Sequence, residues 1–357
     1  MQNMQPTIII AGTGTAVPSH VVRQADVRAI VEPLFAESVS GLDRLLEVFD
    51  HTHIHTRHFV CPPEWYGRDH SWSEATDVYR DAAIRLSVQA ATQALERASC
   101  DAEEVAGVVA VSSTGIMTPS LDSHVARALG LRPTVKRLPI FGLGCAGGVA
   151  GVARAAELSR ALHGKPVLMV AVEICTATFQ RRDISKSNVI ATSLFADGAG
   201  AVVVRADTNG PVVCESFSAL FPDTEDMMGW DVTDDGLRVR FARSIPAFIE
   251  EHLPIVLQQA CAAWDIEPSQ VQTYITHPGG QKVLDAFADA VGCQRASLAH
   301  SYNVLRDFGN MSAASVLFVL HAILTDQAHH EGYGLMSALG PGFSAEQLLL
   351  RFPGTST

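Results

Sequence analysis

Residues 141–151 read Phe-Gly-Leu-Gly-Cys-Ala-Gly-Gly-Val-Ala-Gly and place one cysteine, Cys145, between two groups of glycines. Residues 135–140 predict a short strand before this stretch, and the residues after it predict a helix to about Leu162. Glycines at a strand-to-helix turn allow tight dihedral angles and close approach to a substrate. The positive end of the helix dipole favours a thiolate, which is the nucleophilic form of cysteine. A small cysteine buried in a packed turn would fit the same pattern.

The strand–turn–helix unit belongs to an alternation of strands and helices that continues on both sides of residues 207–211. Apolar strands are predicted at 105–112, 166–172 and 198–204 before this segment, and at 212–221, 271–276 and 333–339 after it. The segment itself is polar and contains Gly and Pro, which is typical of a boundary. We therefore divide the chain into an N-terminal half, residues 1–207, and a C-terminal half, residues 208–357. Their similar order predicts a duplicated α/β unit.

Three segments outside the candidate site give separate predictions of secondary structure. Residues 7–10 predict a buried strand that ends at the turn residues Gly12 and Gly14. Residues 51–72 mix His, Pro, Trp and Tyr without a period and predict a loop. After the predicted helix at 280–291, the next helix is expected at 311–328.

The composition excludes several classes of protein. Of the 357 residues, 47% are hydrophobic and 18% are charged, so a folded core is expected. The net charge of −12 argues against broad nucleic-acid binding, which requires a basic face. No apolar run reaches about 18 residues, and the N-terminus lacks the pattern of a secretion signal, so no membrane span is expected. The seven cysteines occur singly, which predicts a reduced, cytoplasmic protein without a disulfide framework.

Four histidines, His51, His53, His55 and His58, form the densest cluster of this residue type. Histidine-rich segments can bind metal ions. We expect this one to be a solvated or ligand-facing loop instead, and no metal site is predicted.

Two further turns carry candidate chemistry. His277 follows the predicted strand 271–276 in Thr-His-Pro-Gly-Gly, at a strand end where α/β folds gather their sites. Asn310 lies in Phe-Gly-Asn-Met-Ser-Ala-Ala-Ser, a turn that opens a helix. Taken alone, His277 is equally compatible with a structural histidine, and Asn310 is better explained as an N-cap. A thiolate that holds an acyl group and an imidazole–amide pair that stabilises an oxyanion would together support acyl transfer with enolate chemistry.

These segments resemble a known family. The glycine-flanked Cys145 stretch, His277-Pro-Gly-Gly, Gly309-Asn310-Met-Ser and Gly340-Pro-Gly-Phe closely resemble the signature segments of type III polyketide synthases, the chalcone-synthase-like enzymes. Met-Thr-Pro-Ser-Leu-Asp at 117–122 and Met-Gly-Trp-Asp at 228–231 look like the bacterial members. The resemblance runs in consistent order from about Ile8 to Phe352. Ketoacyl-ACP synthases of the third type also use Cys, His and Asn, but they usually lack His-Pro-Gly-Gly and the C-terminal Gly-Pro-Gly loop.

The resemblance implies a thiolase-like duplicated αβαβα layered fold, usually a homodimer, with Cys145, His277 and Asn310 as the catalytic triad. In that family the cysteine takes an acyl group from coenzyme A. Histidine and asparagine bind the thioester carbonyl of malonyl-CoA and stabilise the enolate formed by decarboxylation, which then attacks the acyl-cysteine. The cycle repeats and the chain cyclises. No metal or tightly bound cofactor is implied, because the coenzyme A thioesters are substrates.

Further positions carry over from the family to the cavity. Phe195 matches a phenylalanine that flanks the triad, although plain core packing would also explain it. The second such phenylalanine of plant members falls near Val239, so the gate is expected to be wider or differently built. The remaining predicted cavity residues are Glu173, Cys175, Thr178 and Ser312. Cys175 stands where plant enzymes have threonine, and a buried small side chain is its alternative interpretation.

The residues predicted to bind coenzyme A are Arg57, Lys282, Gly279 and Gly280. Arg57 aligns with an arginine of the family, but neighbouring lysine positions are His51 and His55 here, which weakens the predicted phosphate contact. Lys282 could supply a charge near the tunnel mouth. For both cations, a solvent-exposed side chain without a ligand is the alternative.

The sequence leaves the product open. The prediction is iterative condensation of malonyl-CoA onto an acyl-CoA starter, with an alkylpyrone or alkylresorcinol type of product. A malonyl-only synthase of a polyhydroxylated aromatic is the first alternative, and a single-condensation ketoacyl synthase is the second. The third alternative, an inactive acyl-CoA-binding homologue, is disfavoured by the intact triad.

Overall fold

The structure, a computed structural model, describes residues 6–35, 42–328 and 330–354. Within them the strands are β1 (Ile8–Ala16), β2 (His20–Arg23), β3 (Thr56–Phe59), β4 (Gly107–Val111), β5 (Lys136–Ile140), β6 (Val167–Ile174), β7 (Asp197–Ala206), β8 (Val212–Leu220), β9 (Met228–Thr233), β10 (Gly236–Phe241), β11 (Val271–Thr276), β12 (Gly332–Gly340) and β13 (Ser344–Phe352). The helices are α1 (Gln24–Phe35), α2 (Leu42–His51), α3 (Trp72–Arg97), α4 (Leu121–Ala128), α5 (Gly147–Ala161), α6 (Lys186–Leu194), α7 (Ile245–Ala263), α8 (Gln281–Val291), α9 (Ala299–Phe308) and α10 (Ser315–Thr325).

The main sheet has the strand order β11-β12-β13-β8-β1-β7-β6-β4-β5. Strands β4, β6, β7 and β1 form one half of it, and strands β11, β12, β13 and β8 form the other. In each half the first pair is parallel and the next two pairs are antiparallel. The same connectivity thus occurs twice, as the sequence predicted. The N-terminal half adds β5 as a parallel edge strand.

The two half-sheets meet at β1 and β8, which share the single paired position Ile9–Val212. Helices α5 and α10 lie between them: α5 contacts β4 and β6 in one half and β12 and β13 in the other, while α10 contacts β1 and β7 as well as β11 and β12. Helix α3 packs on β1, β6 and β7. Helix α7 packs on β8 and β13. The result is five layers with the most completely buried helices in the middle, because α5 and α10 are covered on two sides. The predicted division at residue 207 falls between β7 and β8.

The prediction that the first strand ends at Gly12 and Gly14 was wrong. Strand β1 continues through both residues to Ala16 and pairs with β7 throughout, with an irregularity between Ile10 and Gly12. The glycines allow α3 to lie directly on the strand. A Cβ atom at Gly14 would be 2.1 Å from the carbonyl oxygen of Ala90, and one at Gly12 would be 2.3 Å from that of Ala94. Here glycine marks a close backbone approach within a strand and does not mark a turn.

Two other local expectations were wrong. Residues 51–72 contain strand β3, which pairs with β2, and a short 3₁₀ helix at Pro63–Gly67. The segment between the predicted helices at 280–291 and 311–328 contains α9. Strand β3 is held by its pairing with β2, a contact that local periodicity does not reveal. Helix α9, in contrast, has Tyr302, Leu305 and Phe308 at helical spacing, so its sequence alone favours a helix.

Among the residues that the structure describes, no helix is both long enough and apolar enough to cross a membrane.

Candidate active site

Cys145 lies in a short 3₁₀ turn, Gly144–Ala146, that leads directly into α5. The residue is buried, with an exposed fraction of 7%. At the start of α5, a Cβ atom on Gly148 would be 2.3 Å from the carbonyl oxygen of Ala313. Glycine at this position therefore lets the cysteine turn reach the turn that follows Asn310 in the other half of the molecule.

Asn310 precedes a second 3₁₀ turn, Ser312–Ala314, which leads into α10. Its backbone N–H donates to Leu194 O and its carbonyl accepts from Ala196 N–H, both at 2.9 Å. The side-chain Oδ1 accepts from Ser312 N–H at 2.8 Å, and Nδ2 donates to Gly279 O at 3.0 Å. A backbone donor on one side and a carbonyl on the other fix the orientation of the amide.

His277 follows β11 and is buried. Its backbone N–H donates to Ser337 O on β12 at 2.9 Å, and its carbonyl accepts from Gly279 N–H at 3.0 Å. The turn brings the ring beside the residue that holds Asn310, since a Cβ atom on Gly279 would be 3.5 Å from His277 Nε2. Neither ring nitrogen has a hydrogen-bond partner among the described residues. Burial lowers the pKa of His277 to about 3, so the imidazole is neutral at physiological pH.

A chain of hydrogen bonds leads from the cysteine to a buried carboxylate. Cys145 Sγ donates to Ser312 Oγ at 3.7 Å, and Ser312 Oγ donates to Glu173 Oε1 at 3.4 Å. The other oxygen of Glu173, which lies on β6, accepts from Ser113 N–H at 2.9 Å and from Thr114 Oγ1 at 2.8 Å. Burial raises the pKa of Glu173 to about 7, although these hydrogen bonds lower it. Glu173 is therefore a buried proton acceptor at the end of the chain.

The charge state of the cysteine differs from the expectation of a thiolate at a helix start. Burial raises the pKa of Cys145 to about 12, while hydrogen bonding with Ser312 and Asn310 lowers it and Glu173 adds to the rise. With His277 neutral, the resting pair is a thiol and an imidazole. Desolvation here outweighs the helix dipole, because both side chains are buried and the dipole is worth only about 1–2 kcal/mol.

Phe195 directly follows α6 and pairs with Asn310 in an isolated β-bridge. Its ring lies 5.6 Å from that of Phe241 and 6.2 Å from that of Trp230. Val239 lies on the same strand as Phe241 and packs with both Phe195 and Cys175. Two aromatic residues that sequence reasoning missed thus surround Phe195, one of them from the motif at 228–231. Finding them requires recognising β9 and β10 as strands whose side chains alternate between two faces.

Two cavities adjoin this group. A small one of about 40 Å³ is lined by Cys175, Thr178, Phe195 and Val239 among others. A larger one of about 590 Å³ is also lined by Thr178 and reaches Thr114, the partner of Glu173. The walls of the larger cavity include four arginines and three aspartates: Arg68, Asp69, Arg181, Arg182, Asp183, Asp235 and Arg238.

Arg57 is placed differently from the surface position expected of a phosphate contact. It lies on β3 with an exposed fraction of 0%, and its guanidinium donates to the carbonyls of Thr192 at 2.6 Å and Phe195 at 2.7 Å. Burial lowers the pKa of Arg57 to about 9, while buried Asp197 raises it. These contacts hold the end of α6 and Phe195 in place. Lys282, in contrast, is exposed on the first turn of α8 after Gly280.

The comparisons with known proteins decide the family. The family model "Chalcone and stilbene synthases, N-terminal domain" matches residues 1–208, and its C-terminal counterpart matches residues 213–353. The chain belongs to the chalcone and stilbene synthase family. It is a type III polyketide synthase, as the resemblance predicted.

The 1,3,6,8-tetrahydroxynaphthalene synthase of Streptomyces peucetius subsp. caesius is 37% identical over 352 residues, which cover 96% of this chain and 93% of that protein. The alpha-pyrone synthesis polyketide synthase-like Pks18 of Mycobacterium tuberculosis (strain ATCC 25618 / H37Rv) is 28% identical over 359 residues, covering 96% of this chain and 90% of that protein. The crystal structure of 1,3,6,8-tetrahydroxynaphthalene synthase from Streptomyces coelicolor A3(2) matches with a TM-score of 0.92 and 27% identity, covering 97% of this chain and 100% of that chain. The predicted thiolase-like fold is thereby confirmed, and the relatives differ in product.

Proposed function

We propose that this polyketide synthase carries its acyl chain on Cys145 and uses His277 and Asn310 to activate malonyl-CoA. Decarboxylation breaks the bond between the carboxylate and the methylene carbon, and its electron pair forms an enolate on the thioester. The enolate carbon then attacks the carbonyl of the Cys145 thioester. The carbon–sulfur bond breaks, the cysteine is released, and a chain longer by two carbons remains on coenzyme A.

The proposal rests on the donors of the site. The ring nitrogens of His277 are buried and have no hydrogen-bond partner among the described residues. The Asn310 amide is held nearby by Gly279 O and lies close enough to Cys145 to lower its pKa. Buried polar groups without partners are rare and indicate a ligand or a function. Two donors held on converging turns can stabilise the negative charge of the enolate oxygen as it develops.

Removal of the thiol proton is assigned to Glu173 acting through Ser312. The chain of hydrogen bonds from Sγ ends on this carboxylate, whose pKa of about 7 makes it a stronger base than His277. Transfer leaves a thiolate for attack on the starter thioester and a neutral carboxyl group in a buried site. Replacing Glu173 by Gln should slow acylation of Cys145 more than it slows malonyl-CoA decarboxylation. Equal slowing of both steps would count against the relay.

The two cavities favour a polar growing chain over a long alkyl chain. The small cavity beside Phe195 has about the volume of one or two water molecules. The larger cavity beside Thr178 has mixed walls, in which charged side chains alternate with apolar ones such as Trp72, Phe179 and Leu237. The charged part disfavours an alkyl tail, because placing charge against hydrocarbon is costly. A poly-β-keto chain offers carbonyl oxygens to the arginines, of which Arg181 and Arg182 also bind Asp69. The geometry therefore supports the malonyl-only synthase of a polyhydroxylated aromatic over the alkylpyrone or alkylresorcinol product that the sequence suggested.

Product mass spectrometry tests this choice. The enzyme is incubated with malonyl-CoA alone and with a panel of short and long acyl-CoA starters. Malonyl-CoA alone should give a multi-carbonyl aromatic product, and long acyl starters should add little. Efficient turnover of long acyl starters into pyrones or resorcinols would overturn the assignment. Intact-protein mass spectrometry should find the acyl adduct on Cys145 and none on Cys175.

Coenzyme A phosphates are proposed to bind beside α8 instead of at Arg57. Ile54 packs against Leu284 of α8, and its neighbours His53 and His55 are exposed. Lys282 is exposed on the same helix, two residues before Leu284. Lys282→Ala should raise KM for malonyl-CoA with little change in kcat, because the contact is the same in ground and transition states. Unchanged KM would exclude Lys282 from the phosphate site.

A homodimer is proposed through the edge of the sheet at β5. This strand is solvent-exposed along most of its length, and Leu138 and Phe141 are exposed apolar residues at 38% and 58%. Unprotected edge strands with apolar side chains are ready sites for association. Phe141→Asp should convert a dimer into a monomer in light-scattering measurements. Val232→Asp, at an equally exposed position on β9, is the matched control and should leave the dimer intact.

A further inference from the structure

Three side chains that take no part in the polyketide site meet at the ends of α9 and α10 that point away from Asn310. His300 lies in the first turn of α9, Asp326 directly follows α10, and His330 precedes β12. One ligand atom from each residue lies within 4.8 Å of the other two. The length of α9 separates this cluster from Asn310 by about 15 Å.

Contacts outside the cluster hold two of these side chains, those of His330 and Asp326. His330 Nδ1 is 3.4 Å from Thr273 Oγ1 on β11, and its ring lies 5.6 Å from that of Phe352. This leaves His330 Nε2 buried and without a hydrogen-bond partner among the described residues. Asp326 Oδ1 accepts from the backbone N–H of Ala328.

The remaining atoms face one another. Asp326 Oδ2 lies 2.9 Å from His300 Nε2, and a ring nitrogen of His330 completes the group. Ligands of a tetrahedral zinc ion lie about 2.0–2.1 Å from the metal, which places them about 3.4 Å from one another. The observed separations need only small side-chain rotations to reach this geometry. An ion pair between His300 and Asp326 alone would not account for the position of the His330 ring beside them.

We propose that His300, Asp326 and His330 form a binding site for one divalent transition-metal ion of the zinc type, with water as the fourth ligand. Two imidazoles and one carboxylate suit Zn²⁺ and disfavour Mg²⁺ and Ca²⁺, which prefer oxygen ligands alone. Thr273 orients the His330 ring, as second-layer partners of metal ligands do. The ion links α9, the end of α10 and the segment before β12 at a distance from Asn310, and it takes no part in the condensation.

A zinc titration tests the site. The purified full chain is first stripped of metal with a chelator, and Zn²⁺ is then added in the presence of a chromophoric chelator that competes with the protein for the ion. One Zn²⁺ ion should bind per chain and raise Tm by about 2–5 °C at saturation. His300→Ala and His330→Ala should each weaken binding by more than about 100-fold, and Thr273→Val by about 10-fold. His51→Ala, from the histidine cluster that we expected to be free of metal, is the matched control and should bind as the parent does.

Cobalt substitution supplies a readout that is independent of stability. Co²⁺ in the parent should give the visible absorption of a four-coordinate site, and this absorption should disappear in the His300→Ala/His330→Ala double variant. A chain that binds no Zn²⁺ would overturn the proposal. So would Zn²⁺ binding that survives in the double variant, since the ion would then lie elsewhere, for example on the half-buried Cys214 or Cys293.

Discussion

In the N-terminal half, the segment after β5 makes a 3₁₀ turn with Cys145 at its centre and continues into α5; in the C-terminal half, the segment after α9 presents Asn310, makes a 3₁₀ turn and continues into α10. Both helices lie between the half-sheets. The backbone arrangement is the same on the two sides, yet one turn carries the proposed nucleophile and the other carries the proposed oxyanion donor. A duplicated fold thus brings two copies of one turn together and lets their side chains differ.

The largest effect on rate is expected when the thiol of Cys145 is removed from the first turn. Cys145→Ala should lower polyketide formation by about 10³-fold or more, because no acyl-enzyme can form. Decarboxylation of malonyl-CoA should continue, since it depends on the other turn and on His277. The two reactions are measured as product formation and CO₂ release. Full-length product from Cys145→Ala would remove the functional distinction between the turns.

The complementary change is Asn310→Ala. Loss of one oxyanion donor typically costs about 10²–10³ in rate, or about 3–4 kcal/mol. CO₂ release should fall by this factor while Cys145 can still be acylated by a starter. Asn310→Asp is the matched variant: it keeps the acceptor for Ser312 N–H but loses the donor, and it should be as slow as alanine. If acylation were blocked and decarboxylation spared, the oxyanion role of Asn310 would be abandoned.

The resting charge of the first turn can be measured by alkylation. With a pKa of about 12, the thiolate fraction of Cys145 increases tenfold for each pH unit, so the rate with iodoacetamide should rise about 100-fold from pH 7 to pH 9. Peptide mass spectrometry separates this reaction from alkylation of Cys214 and Cys293. A rate that is fast and level over this range would indicate a thiolate–imidazolium pair. His277→Ala should leave the profile unchanged, because the imidazole is already neutral.

Glu173, which accepts a hydrogen bond from Ser312 in the second turn, should make the free energy of unfolding depend on pH. Its pKa of about 7 in the folded state exceeds the ordinary value of 4.5, so between these values the folded state binds more protons than the unfolded state. The free energy of unfolding therefore falls as pH rises through this window, by up to about 3 kcal/mol. Glu173→Gln should gain stability over the parent as pH rises from 4.5 to 8. Urea unfolding at both values measures this gain, and a constant difference would contradict the assigned shift.

The smallest expected effect concerns the contact between the turns. Gly148→Ala would place a Cβ atom 2.3 Å from the Ala313 carbonyl, and backbone must move to relieve it. We expect a loss of about 1–3 kcal/mol in the free energy of unfolding. Gly67→Ala, with nothing within 4 Å of the added atom, is the control and should change stability by less than about 0.5 kcal/mol. A neutral Gly148→Ala would show that the turns need not touch.

Parts of this site were accessible from local sequence because each turn carries its own glycine signals. The segments around Cys145, His277 and Asn310 each predict a side chain at the end of an element, and family resemblance orders them. Trp230 and Phe241 were missed because their partner, Phe195, lies on another part of the chain. Arg57 was expected near phosphates because sequence position does not report burial, and its guanidinium instead binds two backbone carbonyls.

By itself the sequence determined the alternation of strands and helices in two halves, because strand and helix periods and glycine turns are local properties. Its signature segments, through their resemblance to known enzymes, also determined the family, the layered fold and the three side chains proposed as the triad. Tertiary structure alone decided the protonation states, the aromatic surroundings of Phe195, the ionic cavity at Thr178 and the meeting of His300 with His330. These depend on desolvation and on contacts between distant segments, and neither is encoded in the spacing of residues along the chain.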